Sequence, residues 1–345
     1  MILSKAEREI LEKIFVASDD NPERPEFPPD NPKFPATPTV KIQVPGFNNV
    51  WVKDESVNPT GTHKDRMAWE LVVTYRNFLL AKQRDNIQGP LPQMSIISSG
   101  SAAIAIQTML KKYSLPPLKV LLDENINPEI LRNLNEIGCE IYKADLAEKP
   151  FGWKEILDLT ENPLGFDITS SDALDPTTRF FDWLSYEIIN TSPDYCFIPF
   201  GTGNLYENIL NITKKEILAD IQKSKHDPRF KGNITALEKC NFFGATTNNP
   251  KSKADKLYSP HLPFVNFSEQ WIRLYCYSGF CGPESDVMII GEEYLDQAVT
   301  LLNSQGIRAE PSGAAGLALM LQLKNKLPKF AKMLIVNTGK TKYYL

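Results

Sequence analysis

The chain has 345 residues, of which 42% are hydrophobic, which is enough to bury a large core in one large or two medium domains. Its formal net charge is −4, so it lacks the overall positive charge that attracts nucleic acid or anionic lipid, and we predict neither partner. No apolar run is long enough to cross a bilayer and residues 1–15 lack a signal-peptide pattern, so we expect a cytoplasmic protein.

The five cysteines are widely scattered and form no CxxC pair. Such an odd and dispersed set is typical of buried thiols in a reducing compartment, and we predict no metal site. The closest pair, Cys276 and Cys281, leaves disulfide or metal chemistry as the alternative.

The first part of the chain changes character several times. Apolar residues at helical spacing predict a helix over residues 4–16. Seven prolines within residues 21–40 exclude a helix or a central strand there and indicate an extended segment. A β-like run at residues 50–52 then leads into the turn-forming residues 58–61. The following residues favour a helix, so Lys64 lies at a loop-to-helix junction.

Lys64 is in an unusual place, because cations are disfavoured at the N-terminus of a helix. One interpretation is a solvated lysine within the charged cluster of Lys64, Asp65 and Arg66. The other is a Schiff-base lysine, whose pKa would be lowered by burial and by neighbouring cations such as Arg66 and a protonated His63. The tripeptide alone does not decide between the two.

From residue 94 onward, strand-like runs alternate with helical patterns, which predicts a parallel sheet covered on both faces. The predicted strands are residues 94–99, 118–122, 139–144, 195–200, 240–245, 287–290 and 333–337, and the predicted helices are residues 102–112, 128–137, 177–190, 292–304 and 312–324. The irregular residues 145–175 mark the predicted domain boundary. In such sheets ligands bind beyond the carboxyl ends of the strands.

Two loops after predicted strands suit anions. The first is formed by residues 98–101 (Ser98, Ser99, Gly100 and Ser101) and leads into a predicted helix, where its hydroxyl and N–H groups would bind a carboxylate. The alternative is an ordinary serine cap of that helix. The second loop contains Gly201, Thr202, Gly203, Asn204 and Leu205. Its backbone N–H groups and side-chain donors suit a phosphate. It matches neither GxGxxG nor a P-loop, so a bare turn is the alternative.

Two further segments are polar or rich in small residues. Residues 310–316, EPSGAAG, begin a predicted helix, and their small side chains would let another group approach the backbone closely. Residues 337–340, NTGK, place the Thr338 hydroxyl at the end of the last predicted strand. Each segment alone has a purely structural explanation.

The motifs NPTGTHKDR (58–66), SSGS (98–101), GTGNL (201–205), EPSGAAGLA (310–318) and NTG (337–339), in this order, resemble one enzyme family. They are similar to the fold type II pyridoxal-phosphate enzymes, the tryptophan synthase β-subunit group, which includes threonine synthase, threonine and serine dehydratases and cysteine synthase. The resemblance extends over residues 38–338. It favours the Schiff-base interpretation of Lys64.

The resemblance implies an α/β fold of two domains, each an open, mostly parallel twisted sheet with helices on both faces. Pyridoxal 5'-phosphate is expected in the cleft between them. We assign residues 1–75 and 175–345 to a large cofactor-binding domain and residues 76–174 to a smaller domain with the substrate-carboxylate loop. We also expect a homodimer that acts on a small amino acid.

The roles of individual residues are carried over from the family. Lys64 is expected to form the Schiff base and to act as general base. Residues 98–101 are expected to bind the substrate carboxylate, with Ser101 also near the cofactor, and residues 201–205 to bind its phosphate. The Thr338 hydroxyl is expected to face the pyridine nitrogen. A hydroxyl there leaves that nitrogen largely unprotonated and favours expulsion of a β-substituent.

Two departures from the family pattern affect the subfamily. Ser101 stands where the family usually has an asparagine that contacts the ring hydroxyl, and Asn204 interrupts the glycine run. Both point away from a standard cysteine synthase. Asn58, Asp65 and Glu310 belong to the motifs but receive no role from the resemblance.

Two functions stay open on the sequence alone. The first is a threonine synthase-like or serine/threonine dehydratase-like enzyme that eliminates or replaces a β- or γ-substituent. The second is a catalytically impaired, cofactor-binding homologue with a regulatory role. Threonine synthase would need a second anion pocket, for which Lys53, Arg66, Lys340 and Lys342 are candidates unless they are solvated surface charges.

Overall fold

The computed structural model describes residues 2–19, 34–98, 100–146, 148–149, 151–169, 180–258 and 279–342. The chain folds into two compact units. Unit 1 comprises Met1–Pro35, Lys64–Phe180 and Lys342–Leu345, and unit 2 comprises Ala36–His63 and Phe181–Thr341. This division places Lys64–Phe180 in unit 1, whereas we assigned residues 1–75 to the cofactor-binding domain. The functional domain assignment stays a prediction.

Unit 1 is built on a four-stranded parallel sheet. Its strands are β3 (Met94–Ile97), β4 (Lys119–Asp123), β5 (Glu140–Ala144) and β6 (Phe166–Asp167), in the order β5-β4-β3-β6. Its helices are α1 (Lys5–Asp19), α2 (Lys64–Asp85), α3 (Ser101–Lys112), α4 (Pro128–Ile137) and α5 (Trp153–Leu159). The ends of α4 show how local sequence sets a helix boundary. The Asn127 side chain accepts from the Glu129 N–H at 2.8 Å, and Gly138 ends the helix in the left-handed conformation.

Unit 2 contains a six-stranded sheet. Its strands are β1 (Thr39–Val44), β2 (Phe47–Asp54), β7 (Tyr195–Pro199), β8 (Asn241–Thr246), β9 (Asp286–Ile289) and β10 (Met333–Asn337), in the order β1-β2-β10-β7-β8-β9. Its helices are α6 (Asp182–Ile189), α7 (Asn204–Ile221), α8 (Ile234–Lys239), α9 (Glu292–Ser304) and α10 (Pro311–Gln322). The edge strand β1 pairs antiparallel with β2, and the other described pairs in this sheet are parallel. A large buried cluster packs the sheet against α9 and α10.

The predicted fold class is confirmed, because both units have parallel-rich sheets with helices on both faces. Strand β10 and helices α4 and α9 have the predicted boundaries. The long helix α7 was missed, and so were β1, α5, β6 and α8. Among the described residues, no helix is long and apolar enough to span a membrane. Cys281 is a buried free thiol, whereas Cys276 lies outside the described residues.

A buried ionic cluster fixes the loop after α7 to the helices of unit 2. Arg229 donates to both carboxylate oxygens of Asp227 at 2.8 Å and to Asp182 at 3.4 Å. Its guanidinium also stacks over the rings of Tyr186 and Trp183, at 4.5 and 5.1 Å. Burial raises the pKa of the Asp227 carboxyl, but hydrogen bonds from Arg229 and Lys215 outweigh it and hold that pKa well below its usual range.

Replacing Arg229 should therefore destabilise unit 2. Arg229→Met removes the cation that pairs with Asp182 and leaves Asp227 paired with Lys215, and we expect a loss of about 3 kcal/mol in the free energy of unfolding. Urea denaturation followed by intrinsic tryptophan fluorescence, to which Trp183 beside Arg229 contributes, measures this loss. Lys231→Met, in the same loop at an exposed position, is the control and should change the stability little. Equal effects of the two substitutions would contradict this role of Arg229.

Candidate active site

Four parallel strands of unit 2 end at one edge of its sheet. Strands β2, β10, β7 and β8 are neighbours and run in the same direction, so the loops that follow them share this edge. In open α/β sheets this is the edge at which ligands bind. The loops carry residues 58–63, residues 338–341, the glycine-rich residues 201–203 and the segment that contains Lys256.

The glycine-rich loop turns from β7 directly into α7. Gly203 precedes the helix with a φ of 84°, in the left-handed region that glycine adopts without strain. The N–H groups of Asn204 and Leu205 lie in the first turn of α7, where no intrahelical carbonyl accepts from them. The side chains of Thr202 and Asn204 are exposed, and Leu205 is buried. The helix dipole and these donors suit an anion.

Thr338 follows β10 and is almost completely buried. Its N–H donates to the Gly313 carbonyl at 3.3 Å, and its carbonyl accepts from the His63 N–H at 3.2 Å. Both backbone groups are thus used within unit 2. The hydroxyl makes no hydrogen bond to any residue in the described ranges, so it can serve a ligand.

The turn that precedes Lys64 pairs with the segment after β10. The Gly61 carbonyl accepts from the Lys340 N–H at 2.9 Å, and Thr62 forms an antiparallel bridge with Gly339. These contacts lie within unit 2. The chain enters unit 1 two residues after Thr62, at Lys64.

Lys64 is the first residue of α2, as predicted for a loop-to-helix junction. Burial lowers the pKa of its amine to about 8, so a substantial fraction of the amine is neutral near physiological pH. Lys64 as a whole residue is half-buried, and the next two residues, Asp65 and Arg66, are fully buried. A solvated charge cluster at residues 64–66 is therefore not what the structure shows, and a neutral lysine is a competent nucleophile and base.

The serine-rich loop follows β3 in unit 1. The Ser98 hydroxyl accepts from the N–H groups of Gly100 and Ala103, at 3.2 and 3.3 Å, so it satisfies one N–H of the first turn of α3, whose N-cap residue is Gly100. Its own proton is still available for donation to a carboxylate. Ser101 is the first residue of α3 and is half-buried. Ser99 lies outside the described residues, and the loop's role in binding a carboxylate stays a prediction.

The surface-charge interpretation is wrong for two of the four cations considered for a second anion pocket. Lys53 and Arg66 are 2% and 1% exposed. The Lys53 amine lies 2.5 Å from the Glu187 carboxylate, which already neutralises it. Lys340 is exposed and Lys342 is half-buried. Of these four cations, only Lys53 and Lys340 belong to unit 2. Unit 2 therefore does not contain a pocket made of all four.

One charged cluster at this edge was missed. The Lys256 amine donates to both carboxylate oxygens of Glu310 at 2.7 Å and to the Thr341 hydroxyl at 2.8 Å. Lys256 also lies beside Gly201, and its N–H donates to the Ser312 hydroxyl at 3.2 Å. Glu310 belongs to one of the sequence motifs. Lys256 lies in a segment without helical or strand periodicity, so the sequence did not indicate that it belongs to the site.

The residues present fit pyridoxal phosphate. The N–H groups at the start of α7 match a phosphate, and the buried amine of Lys64 matches an aldehyde that forms an imine. The Thr338 hydroxyl, open to a ligand, offers a neutral partner for a ring nitrogen.

Comparison with known proteins finds a similar sequence segment and similar folds. Cysteine synthase B of Salmonella typhimurium is 33% identical over 110 residues, which are 30% of this chain and a third of that enzyme's length. The structure of O-ureido-L-serine synthase covers 90% of both chains, with a TM-score of 0.63 and 17% identity. The O-acetylserine-dependent cystathionine β-synthase of Helicobacter pylori covers 100% of this chain and 98% of its own, with a TM-score of 0.57 and 15% identity. The two structures show that the fold is shared.

The sequence of the whole region matches a single family. The model of the family described as pyridoxal-phosphate dependent enzyme matches residues 33–339, nearly the complete chain, and includes every motif residue discussed above up to Gly339. This chain therefore belongs to the fold type II family of pyridoxal-phosphate-dependent enzymes, and its cofactor is pyridoxal 5'-phosphate.

Proposed function

We propose that this chain catalyses β-elimination or β- or γ-replacement on an amino-acid substrate, with Lys64 as the cofactor-bearing lysine and general base. The observation that carries the proposal is the position of Lys64, which lies inside the family match and begins α2 directly after the turn paired with residues 338–340, and burial there lowers its pKa to about 8. A base whose pKa lies near the operating pH is the most effective in proton transfer. The threonine synthase-like and serine/threonine dehydratase-like activities are two forms of this proposal.

The names of the similar proteins support the β-substitution class. Cysteine, O-ureido-L-serine and cystathionine, the products after which they are named, each carry a substituent on the β-carbon. The matched portion of cysteine synthase B is only a third of its length, and the two structures are less than 25% identical to this chain. The names therefore motivate the substrate panel of the test.

The chain's own residues would divide the work between binding and proton transfer. The N–H groups of residues 203–205 hold the phosphate, and the Ser98 hydroxyl with the start of α3 orients the substrate carboxylate. When bound, pyridoxal phosphate supplies an electron sink that acidifies the α-proton of the attached amino acid. Lys64 Nζ takes that proton from the α-carbon. The neutral hydroxyl of Thr338 would be a partner for the ring nitrogen that does not favour protonation of that nitrogen.

A catalytically impaired homologue with a regulatory role is the second candidate. It is favoured by Ser101, whose short side chain stands at the position of the usual asparagine. Two further expectations are part of the proposal for either candidate: a homodimer, from the family resemblance, and a cytoplasmic location, from the scattered cysteines and the residues 1–15 that lack a signal-peptide pattern.

A substrate panel tests the proposed reaction class. Serine, threonine, O-phosphohomoserine and O-acetylserine with sulfide are incubated with the cofactor-saturated protein, and keto acid, phosphate and thiol products are measured. We expect turnover of at least one substrate. Lys64→Ala should lower it by about 10²–10⁴-fold or more, because the general base is lost. Lys340→Ala, which removes an exposed lysine beside the same turn, is the control for covalent labelling and should retain the cofactor.

The outcomes of this panel separate the two candidates. Borohydride reduction followed by peptide mapping should find the cofactor on Lys64. A protein that labels at Lys64 and converts none of the substrates supports the impaired homologue. A label on another lysine contradicts both candidates.

The glycine-rich loop gives a second prediction, for cofactor affinity. Gly203→Ala places a Cβ on a residue with a φ of 84° that precedes the phosphate-binding turn, and we expect the affinity for pyridoxal phosphate to fall about tenfold or more. Gly306→Ala is the matched control, since Gly306 has a φ of 78° and no atom within 4 Å of the added Cβ. It carries the same backbone strain outside the loop. Equal affinities of the two variants in a fluorescence titration would show that the loop is only a turn.

A further inference from the structure

The Asn58 side chain bridges the turn before Lys64. Asn58 is 4% exposed, and its amide nitrogen donates to the Glu55 carboxylate at 2.8 Å and to the Thr62 carbonyl at 3.0 Å. A single amide thus joins the start of the turn to a carbonyl two residues before Lys64. The backbone from which Lys64 extends is held at this point.

The partner of Asn58 is itself fixed in the core of unit 2. Glu55 is completely buried, and its other carboxylate oxygen accepts from the Thr37 hydroxyl at 2.5 Å. The Thr37 carbonyl accepts from the Lys53 amine at 2.6 Å, and Lys53 pairs with Glu187. Buried hydrogen bonds to charged groups are strong and costly to break. A continuous polar chain therefore runs from Glu187 to Asn58.

The opposite side of the turn is equally constrained. Gly61, Thr62 and His63 pair by backbone hydrogen bonds or bridges with residues 338–340. Backbone contacts on one side and the Asn58 amide on the other leave the turn little freedom. The family resemblance assigns a role to neither Glu55 nor Asn58, yet together these two side chains tie the start of the turn to its end.

Resting on the proposed role of Lys64, we propose that Asn58 and Glu55 are positioning residues that fix the backbone orientation of Lys64 and thereby keep its amine in the buried, reactive position. Loss of the Asn58 amide removes a donor from a buried carboxylate oxygen and from the Thr62 carbonyl. The turn then relaxes toward water to satisfy them. Displacement of a catalytic group by about 1 Å can cost 10²-fold in rate.

The test compares Asn58→Ala with the wild type in two measurements. In cofactor-saturated protein, we expect kcat to fall about tenfold to a hundredfold with a smaller change in KM. In cofactor-free full-length protein, the pH dependence of Lys64 acetylation by acetic anhydride, read by mass spectrometry, reports the pKa of the amine. We expect it near 8 in the wild type and shifted toward the value of an exposed lysine in the variant.

Asn190→Ala is the matched control within unit 2. The Asn190 side chain also makes two hydrogen bonds, to the Arg229 carbonyl at 2.9 Å and from the Lys231 N–H at 2.7 Å. It should lower stability without changing kcat or the acetylation profile of Lys64. If Asn58→Ala does not fold, Thr37→Val is the test variant, because it removes one donor to Glu55 at nearly constant side-chain volume. We expect it to change kcat and the acetylation profile of Lys64 in the same direction as Asn58→Ala, by several-fold.

Two results would overturn the proposal. The first is a folded Asn58→Ala with wild-type kcat and a wild-type acetylation profile. The second, where that variant is unfolded, is a Thr37→Val protein with both readouts unchanged. Failure of the proposed function is recognised separately. If the wild type shows no turnover, the proposed function fails, and the acetylation profile still tests the positioning role of Asn58. If Lys64 of the wild type has the pKa of an exposed lysine, both the proposed function and the positioning role are contradicted.

Discussion

The site depends on the close contact between two backbone turns at the ends of β2 and β10. A Cβ added to Gly339 would lie 2.1 Å from the Gly61 carbonyl oxygen, and Gly339 has a φ of 101°. Only glycine satisfies both conditions. Because the two turns touch, the residue before Lys64 hydrogen-bonds to the carbonyl of Thr338. The proposed cofactor lysine and the proposed partner of the ring nitrogen thus depend on the same contact.

The strands beneath these turns are joined by a buried side-chain pair. Asn337 donates to the Asp54 carboxylate at 2.9 Å and to the Arg308 carbonyl at 2.9 Å, and its own oxygen accepts from the Gly339 N–H at 3.1 Å. Asp54 in turn caps the short helix after β2 by accepting from the Ser56 N–H. These bonds replace water at a buried sheet edge, where an unsatisfied polar group costs about 1–3 kcal/mol. Rigid strand ends of this kind suit a site that must hold a cofactor in one orientation.

Much of the fold could be predicted from the sequence, because periodicity reflects local burial. Strand β10 is an uninterrupted buried apolar run, and α4 has a capping residue and a terminal glycine, so both were located accurately. Helix α7 was missed because Gly201 and Gly203 favour a loop, although the helix begins at the next residue. Strand β6, with two residues, is too short to show a period. The family resemblance rather than periodicity identified the cofactor.

The buried network of the site could not be predicted, because its partners are distant along the chain. Lys53 and Glu187 are 134 positions apart, and a lysine in a β-strand is usually exposed. Their pairing makes burial possible, since each charge neutralises the other. The pKa of Lys64 has the same origin, because burial in the folded chain is the largest cause of its lowering.

A crystal structure of the protein with bound pyridoxal phosphate tests the central claim most directly. The account predicts continuous electron density from Lys64 Nζ to the cofactor, with the phosphate at the N–H groups of residues 203–205 and the Thr338 hydroxyl within hydrogen-bonding distance of the ring nitrogen. Density joined to another lysine, or a phosphate held away from the start of α7, would contradict it.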